Sequence, residues 1–222
     1  IEIQLPVQNN NLGAITRALD IAVENAVKAA RENQRPWLLI RFLPASRDNR
    51  ITSDFGACNT LESYLSSPSL TRRCRTAAIL NGHYADHAIL SALACSKLIV
   101  SSETTISGPE SDTTLLTPEI KDDYRRVTEA HKHLPASVIE AVLDPMISLH
   151  EVTTNESTFY VTGAEQQKLR EQGKLNSSTA IAISGDALIL KKSIFARQSG
   201  ISIIPTNDTT LVTELNIAPT RF

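Results

Sequence analysis

The sequence predicts an α/β fold on a mostly parallel sheet, and three observations carry that prediction. Strand-like apolar runs and helix-like segments alternate through the first half of the chain. Trp37 to Leu43 is mostly apolar, broken only by Arg41, and it does not alternate; this suits a strand buried on both faces of a sheet covered by helices. The strand-like runs are separated by helical stretches of ten or more residues, which implies β-α-β units with parallel neighbours and right-handed crossovers.

Each element has its own signal. Ile1 to Val7 reads as a short strand ended by Pro6 and an Asn9-Asn10-Asn11 turn. Apolar residues then recur at Ile15, Leu19, Ala22, Val23, Ala26, Val27 and Ala30, the spacing of a helix with one buried face. Arg35-Pro36 ends that helix, Trp37 to Leu43 is the second strand, and polar Pro44 to Asp54 is a loop. Leu61 to Leu70 contains a helix ending near Ser67-Pro68, and Thr76 to Leu80 is a third strand. Asn81-Gly82 is a turn, Ala85 to Cys95 a helix of small residues, and Leu98 to Val100 a fourth strand. Thr117-Pro118-Glu119 starts a helix that runs to about His133, where Pro135 forces a break. Pro135 to Leu143 is a short helix closed by Asp144-Pro145. Ile147 to Thr153 and Ser157 to Val161 form a hairpin, and Glu165 to Gln172 is a charged surface helix. Ala180 to Ile183, Ala187 to Gln198 and Ile201 to Ile204 read as strand, helix and strand, and a last helix starts at Asp208 as its N-cap. The chain is read as one domain over residues 1–222, with a subdomain change near 151–162 where the pattern turns antiparallel.

Bulk composition narrows the function classes. The chain has 222 residues, 41% of them apolar and 21% charged, which is the make-up of a soluble globular protein. A formal net charge of −2 gives no reason to expect a nucleic-acid partner. Arg72-Arg73-Cys74-Arg75 is a short basic cluster, read as a solvated helix end. Three cysteines, Cys58, Cys74 and Cys95, lack metal-ligand spacing; one disulfide would be allowed but none is required. No apolar run is long enough to span a membrane. The chain opens at Ile1 inside a strand-like run and is read as a processed or engineered fragment, so a missing targeting segment says little about compartment.

The sequence has two histidine clusters. His83 and His87 are four apart, but Tyr84 stands where a zincin needs Glu, and no third ligand is evident, so no metal is expected. The simpler reading has Asp86 capping the helix start with His87 satisfied beside it. His131-Lys132-His133 fits favourable cation placement at a helix C-terminus. Three Asn-X-Ser/Thr triplets, at Asn155, Asn176 and Asn207, carry no assigned function.

The stretch Ala77 to Glu110, a strand, a Gly turn, a small-residue helix and a strand, resembles the active-site unit of the ClpP/crotonase superfamily. Leu90-Ser91-Ala92-Leu93-Ala94-Cys95 is close to the crotonase pattern around the second oxyanion-hole residue, and Ile106-Ser107-Gly108-Pro109-Glu110 matches the turn after the next strand. Arg126 to Pro135, Leu143-Asp144-Pro145 and the ending around Gly200 look closer to the ClpP-class domain of NfeD-like proteins. The resemblance implies a serine-peptidase site, yet it places Asp86 at the nucleophile position, with His87 next to it. A carboxylate is a poor peptide-bond nucleophile and would repel a developing oxyanion. The family's oxyanion Gly-Gly pair is replaced by Leu43-Pro44-Ala45-Ser46, and its general-base lysine falls near Leu115, with Lys121 about two turns too late. Ser91 and Ser96 are the fallback nucleophiles.

The expectation is therefore a catalytically degenerate NfeD-like, ClpP-class domain that binds or scaffolds, with no cofactor and no metal. Homo-oligomerisation, a peptide or membrane-protein partner, and a periplasmic or membrane-associated location are implications of the resemblance. The alternatives are an active serine peptidase whose nucleophile lies elsewhere, and a crotonase-like acyl-CoA enzyme.

Overall fold

The computed structural model describes residues 1–31, 34–44, 52–85, 87–108, 116–205 and 207–216. The central sheet starts with β1 (Glu2–Gln4), and α1 (Asn9–Ala29) follows. The three asparagines expected to form a turn are instead the first turn of α1. Asn11 makes that start favourable: its carbonyl side chain accepts from the Gln8 N–H at 2.9 Å and its amide donates to the Pro6 carbonyl at 2.9 Å. β2 (Trp37–Leu43) follows, then α2 (Phe55–Ser66), α3 (Pro68–Thr71) and β3 (Arg75–Leu80). α2 begins six residues before the expected Leu61 because Asp54 caps it, accepting from Gly56 N–H at 2.7 Å and Ala57 N–H at 3.3 Å.

After β3 come β4 (His83–Tyr84), α4 (Ala88–Leu93), β5 (Lys97–Val100) and β6 (Thr105–Ile106). Next are α5 (Pro118–His131), α6 (Ala136–Leu143), β7 (Leu149–Thr153), β8 (Thr158–Thr162) and α7 (Gly163–Glu171). The chain closes with β9 (Ser177–Ala182), α8 (Lys192–Phe195), β10 (Ile201–Ile203) and α9 (Asp208–Glu214). The helix expected over Ala187 to Gln198 is only the single turn α8, because Leu190 is taken by a bridge to Ile106. Asn207, one residue before the expected Asp208, is the cap of α9; its side chain accepts from Thr210 N–H at 3.0 Å.

Five strands form the parallel sheet in the order β1-β2-β3-β5-β10. The main core lies on the face carrying Leu38, Ile40, Phe42, Ala78, Leu80, Leu98 and Val100, under α1, α2, α4 and α5. The opposite face is smaller: Ala77, Ile79 and Ile99 pack against Leu211 of α9 and Leu215 just after it, with Trp37 and Leu39 partly buried beside them. β4 and β6 make a two-stranded parallel pair, and β8-β7-β9 an antiparallel sheet. The expected hairpin, β7 and β8, is thus two strands of a three-stranded unit that includes β9.

All three cysteines are buried thiols, and none is in a disulfide. The Arg72 to Arg75 cluster is not wholly solvated: Cys74 is buried, Arg73 pairs with Glu24 at 2.6 Å, and the Arg75 guanidinium lies over Trp37 at 5.6 Å. No helix among the described residues is long and apolar enough to cross a membrane.

Candidate functional site

The β3–β4–α4 connection is fixed by a dense set of polar contacts. Gly82 has φ +121°, a conformation that L side chains rarely adopt, and a Cβ there would meet Pro44 at 3.1 Å. Tyr84 is buried; its hydroxyl donates to the Phe42 carbonyl at 2.6 Å and accepts from the Asn81 N–H at 3.0 Å. Ser101 donates to the Asn81 side-chain oxygen at 2.8 Å, and Thr104 donates to the Leu80 carbonyl at 2.8 Å. The carboxyl ends of β2, β3 and β5 are thereby tied to one another around the turn that leads into α4.

The predicted site residues are placed as follows. Asp86 lies outside the described residues, as do Leu115 and the Ala45-Ser46 pair. His87 is the N-cap residue of α4 and is buried. Its Nδ1 is 3.2 Å from the buried Tyr124 hydroxyl, and its ring meets the edge of Phe55 at 5.3 Å. Ser91 is fully buried, and its hydroxyl donates to the Cys58 carbonyl of α2 at 2.9 Å. Ser96 is exposed after α4; its backbone N–H donates to Thr76 Oγ1 at 2.9 Å. These residues are therefore not gathered in one group: Ser91 faces α2, Ser96 faces β3, and His87 faces α5.

His83 is in β4, not in the turn, and lies directly across from Thr105, with Nδ1 2.9 Å from the Thr105 hydroxyl. It does not share a helical face with His87. Among the described residues, no group of three or more His, Cys, Asp or Glu side chains could hold a metal. Lys121 is held by Asp144 at 2.6 Å, and that hydrogen bond holds the Asp144 carboxyl below its ordinary value. The lysine is thus a partner in an ion pair between α5 and the end of α6.

His133, expected as a helix-end cation, is instead buried, with the helix already ended by Lys132 in the left-handed region (φ 55°). Its Nδ1 faces the Gly200 carbonyl at 3.0 Å and its Nε2 the Cys95 carbonyl at 2.7 Å. Both partners are main-chain carbonyl oxygens, so the ring ties the end of α5 to the segments before β5 and β10. His131 stacks on it at 6.0 Å; burial first, and then the charge of His133, lower the His131 pKa. Burial likewise pushes the Cys95 thiol up to about 12, so it is an inert core group.

Three residues near the turn were not singled out from sequence. Tyr84 and Tyr124 supply the hydroxyls around α4, and Ser107, whose N–H donates to the Tyr84 carbonyl at 2.9 Å, has a buried hydroxyl without a hydrogen-bond partner among the described residues. The Gly108 that follows packs so closely that a Cβ would meet the Val142 carbonyl at 2.4 Å. No local pattern marks Tyr84 or Tyr124, whose hydroxyls meet Phe42 and His87 from 42 and 37 residues away.

Solved structures match this architecture over nearly the whole chain. A serine-to-alanine mutant of the 1510-N membrane-bound stomatin-specific protease is similar over 96% of this chain and 81% of its own, with a TM-score of 0.55 and 9% identity. The fold is that of the ClpP/crotonase superfamily. The 1510-N membrane protease specific for a stomatin homolog from Pyrococcus horikoshii matches over 97% of this chain and 96% of its own, with 10% identity and a TM-score of 0.43. An enoyl-CoA hydratase from Thermoplasma volcanium matches over 76% of this chain and 64% of its own, with 12% identity and a TM-score of 0.42. No protein-family model and no curated protein matches the chain. At these identities the superfamily likeness concerns the fold, and the chemistry must be argued from the residues.

Proposed function

We propose that this chain is a catalytically degenerate ClpP-class domain that acts by binding or scaffolding. One observation carries the reading furthest: the helix-borne hydroxyl of Ser91 is enclosed and already donates to the Cys58 carbonyl. A nucleophilic serine needs a base within hydrogen-bond reach and an open face toward the substrate carbonyl. Two further features support it. Lys121 is engaged by Asp144, and the superfamily resemblance aligns Asp86 with the nucleophile position. His87 is packed edge-on against Phe55 and toward Tyr124, which is the role of a core histidine at a helix start.

Self-association belongs to the same reading. Ile21, 63% exposed, and Val27 put apolar surface on the outer side of α1, available to a second copy. The activity test is turnover of quenched fluorogenic peptide libraries between about pH 5 and pH 9, the range in which a histidine or tuned lysine base works. No turnover is expected. Hydrolysis that disappears in Ser91→Ala or Ser96→Ala protein would overturn the reading. Retention of the chain on immobilised CoA would favour an acyl-CoA enzyme instead.

A further inference from the structure

The amino ends of β2 and β3 carry a concentration of positive charge that the candidate site does not use. Trp37 and Arg75 begin the two strands side by side in register. The segments before the strands bring further cations to the same end. Arg35 precedes β2, and its guanidinium donates to the Thr71 carbonyl and, at 3.3 Å, to the Cys74 carbonyl, which seats it on the turn between α3 and β3. Arg72 and Arg73 belong to that turn. Arg73 pairs with Glu24 at 2.6 Å, so the last turns of α1 lie against this end too. Lys28 follows Glu24 by four residues on the same helix face, and Arg31 comes just after the helix.

These six side chains, Lys28, Arg31, Arg35, Arg72, Arg73 and Arg75, are all exposed. Hydrogen bonds to neutral carbonyls, as at Arg35, and stacking, as at Arg75 on Trp37, leave the positive charge in place. Lys28, Arg31 and Arg72 have no ion pair among the described residues. The carboxylates on this side of α1 are engaged: Asp20 accepts from the Tyr64 hydroxyl at 2.6 Å, and Glu24 holds Arg73. With Glu32 counted from the sequence as well, positive charges outnumber negative ones two to one. Charges farther apart than about 10 Å are largely screened at physiological salt, so this local excess, and not the net charge of −2, decides what docks here.

A bilayer that contains anionic phospholipid suits the patch. It presents a plane of phosphates, and clusters of this many lysines and arginines are attracted to such a plane. The six cations come from α1, the segment before β2, the α3–β3 turn and β3 itself, so they are spread across one end of the sheet. A single-stranded nucleic acid needs an open aromatic face for its bases, and the face of Trp37, the chain's one tryptophan, is taken by Arg75.

We infer that the amino end of the β2–β3 pair docks on anionic phospholipid surfaces through these six cations. The β3–β4–α4 turn lies at the carboxyl ends of the same strands, so a docked chain holds its candidate site away from the bilayer. The inference goes beyond the proposed function. The patch includes none of His87, Ser91 and Ser96, so either reading can fail alone.

Trp37 also supplies a readout. The intact chain is titrated with vesicles of equal parts phosphatidylglycerol and phosphatidylcholine, and with vesicles of phosphatidylcholine alone, at about 0.1 M and about 0.5 M salt. Co-sedimentation and Trp37 emission report binding. The chain should sediment with the anionic vesicles at low salt, change its emission with them, leave them at high salt and ignore pure phosphatidylcholine. Arg31→Ala and Arg72→Ala should each weaken partitioning about fivefold, and Arg72→Lys should retain it. Both side chains are exposed, so unchanged thermal midpoints check that the variants fold. Removal of an exposed cation elsewhere, Lys168→Ala on α7, should leave partitioning unchanged. Absence of saturable partitioning into anionic vesicles, or partitioning that Lys168→Ala weakens as much as Arg72→Ala does, overturns the proposal. So does the same emission change with inorganic phosphate alone, which assigns the patch to a free anion. Tighter binding to a single-stranded oligonucleotide than to the vesicles, at equal phosphate concentration, assigns it to nucleic acid and overturns the proposal as well.

Discussion

β5 and β9 are both short strands, and they end in opposite surroundings. β5, Lys97-Leu98-Ile99-Val100, is paired on both edges, by β3 and β10, and its three aliphatic side chains are buried. β9, Ser177-Ser178-Thr179-Ala180-Ile181-Ala182, is paired on one edge, and its first four residues are exposed. In β5, Leu98 points into the main core and Ile99 into the smaller core under α9, so both faces of the strand are dry. A parallel strand reached by helical crossovers is covered on both faces by construction, whereas an antiparallel edge strand keeps one face and one edge in water. The difference separates the part of the molecule that holds the fold from the part whose hydrogen-bonding groups remain available.

Substitutions sharpen that contrast. Leu98→Ala should cost about 3–5 kcal/mol, since a fully buried leucine leaves a cavity. Ile183→Ala, beside β9, should change stability by less than about 0.5 kcal/mol. Chemical denaturation of the two variants measures both, and comparable losses would break the comparison. His133 ties the end of α5 to the segments before β5 and β10. His133→Leu leaves the Cys95 and Gly200 carbonyls without their donor and should cost roughly 2–4 kcal/mol. His133→Gln should recover part of that loss by restoring one donor.

In the antiparallel part the stabilising contacts are local. Thr162 caps α7, accepting from Glu165 N–H at 3.3 Å, while the Glu165 carboxylate accepts from the Thr162 N–H at 2.8 Å. Thr162→Ala should cost about 1 kcal/mol and should raise exchange in α7 before it affects the parallel sheet. A further small effect is a pH dependence. Asp144 titrates below its ordinary value of 3.8 because Lys121 hydrogen-bonds its charged form. A carboxyl lowered on folding contributes stability above its unfolded value and loses it as the pH falls through the folded one. Lys121→Met should therefore lower stability at neutral pH by less than about 1 kcal/mol and flatten the loss below about pH 4. Denaturation midpoints of the two proteins from pH 7 to pH 2 decide this.

The parallel half was the more legible in the sequence. Trp37 to Leu43 is long, apolar and bounded by Pro36 and Pro44, and its expected limits match β2. The Thr117-Pro118-Glu119 start and Pro135 break bracket α5 and α6 equally well. Periodicity failed where a few residues are fixed by partners distant in sequence. β4 is two residues long and exists because Thr105 and Ile106 lie beside it, which no local pattern announces. Residues 187 to 198 have helical apolar spacing, yet Leu190 is held as a bridge partner of Ile106. The short α4, Ala88–Leu93, lies within the wider Ala85 to Cys95 expectation, with His87 as its N-cap residue; the expected cap, Asp86, lies outside the described residues. The candidate site was less legible than the fold. Ser91 could be placed on a core face from helical spacing alone, but Tyr124 reaches His87 from 37 residues away, and the Ser107 hydroxyl, without a partner among the described residues, follows only from packing.

The account turns on whether any hydroxyl near α4 can be acylated or phosphonylated. Intact-mass measurement of the chain after incubation with a fluorophosphonate probe asks this without assuming a substrate. The account predicts an unchanged mass, because Ser91 is enclosed with its proton donated to the Cys58 carbonyl, and the Ser96 hydroxyl lies 3.4 Å from Thr76 Oγ1 with no basic side chain as a hydrogen-bond partner among the described residues. A single-site adduct that maps to Ser91 or Ser96 and vanishes when that serine is changed to alanine would contradict it.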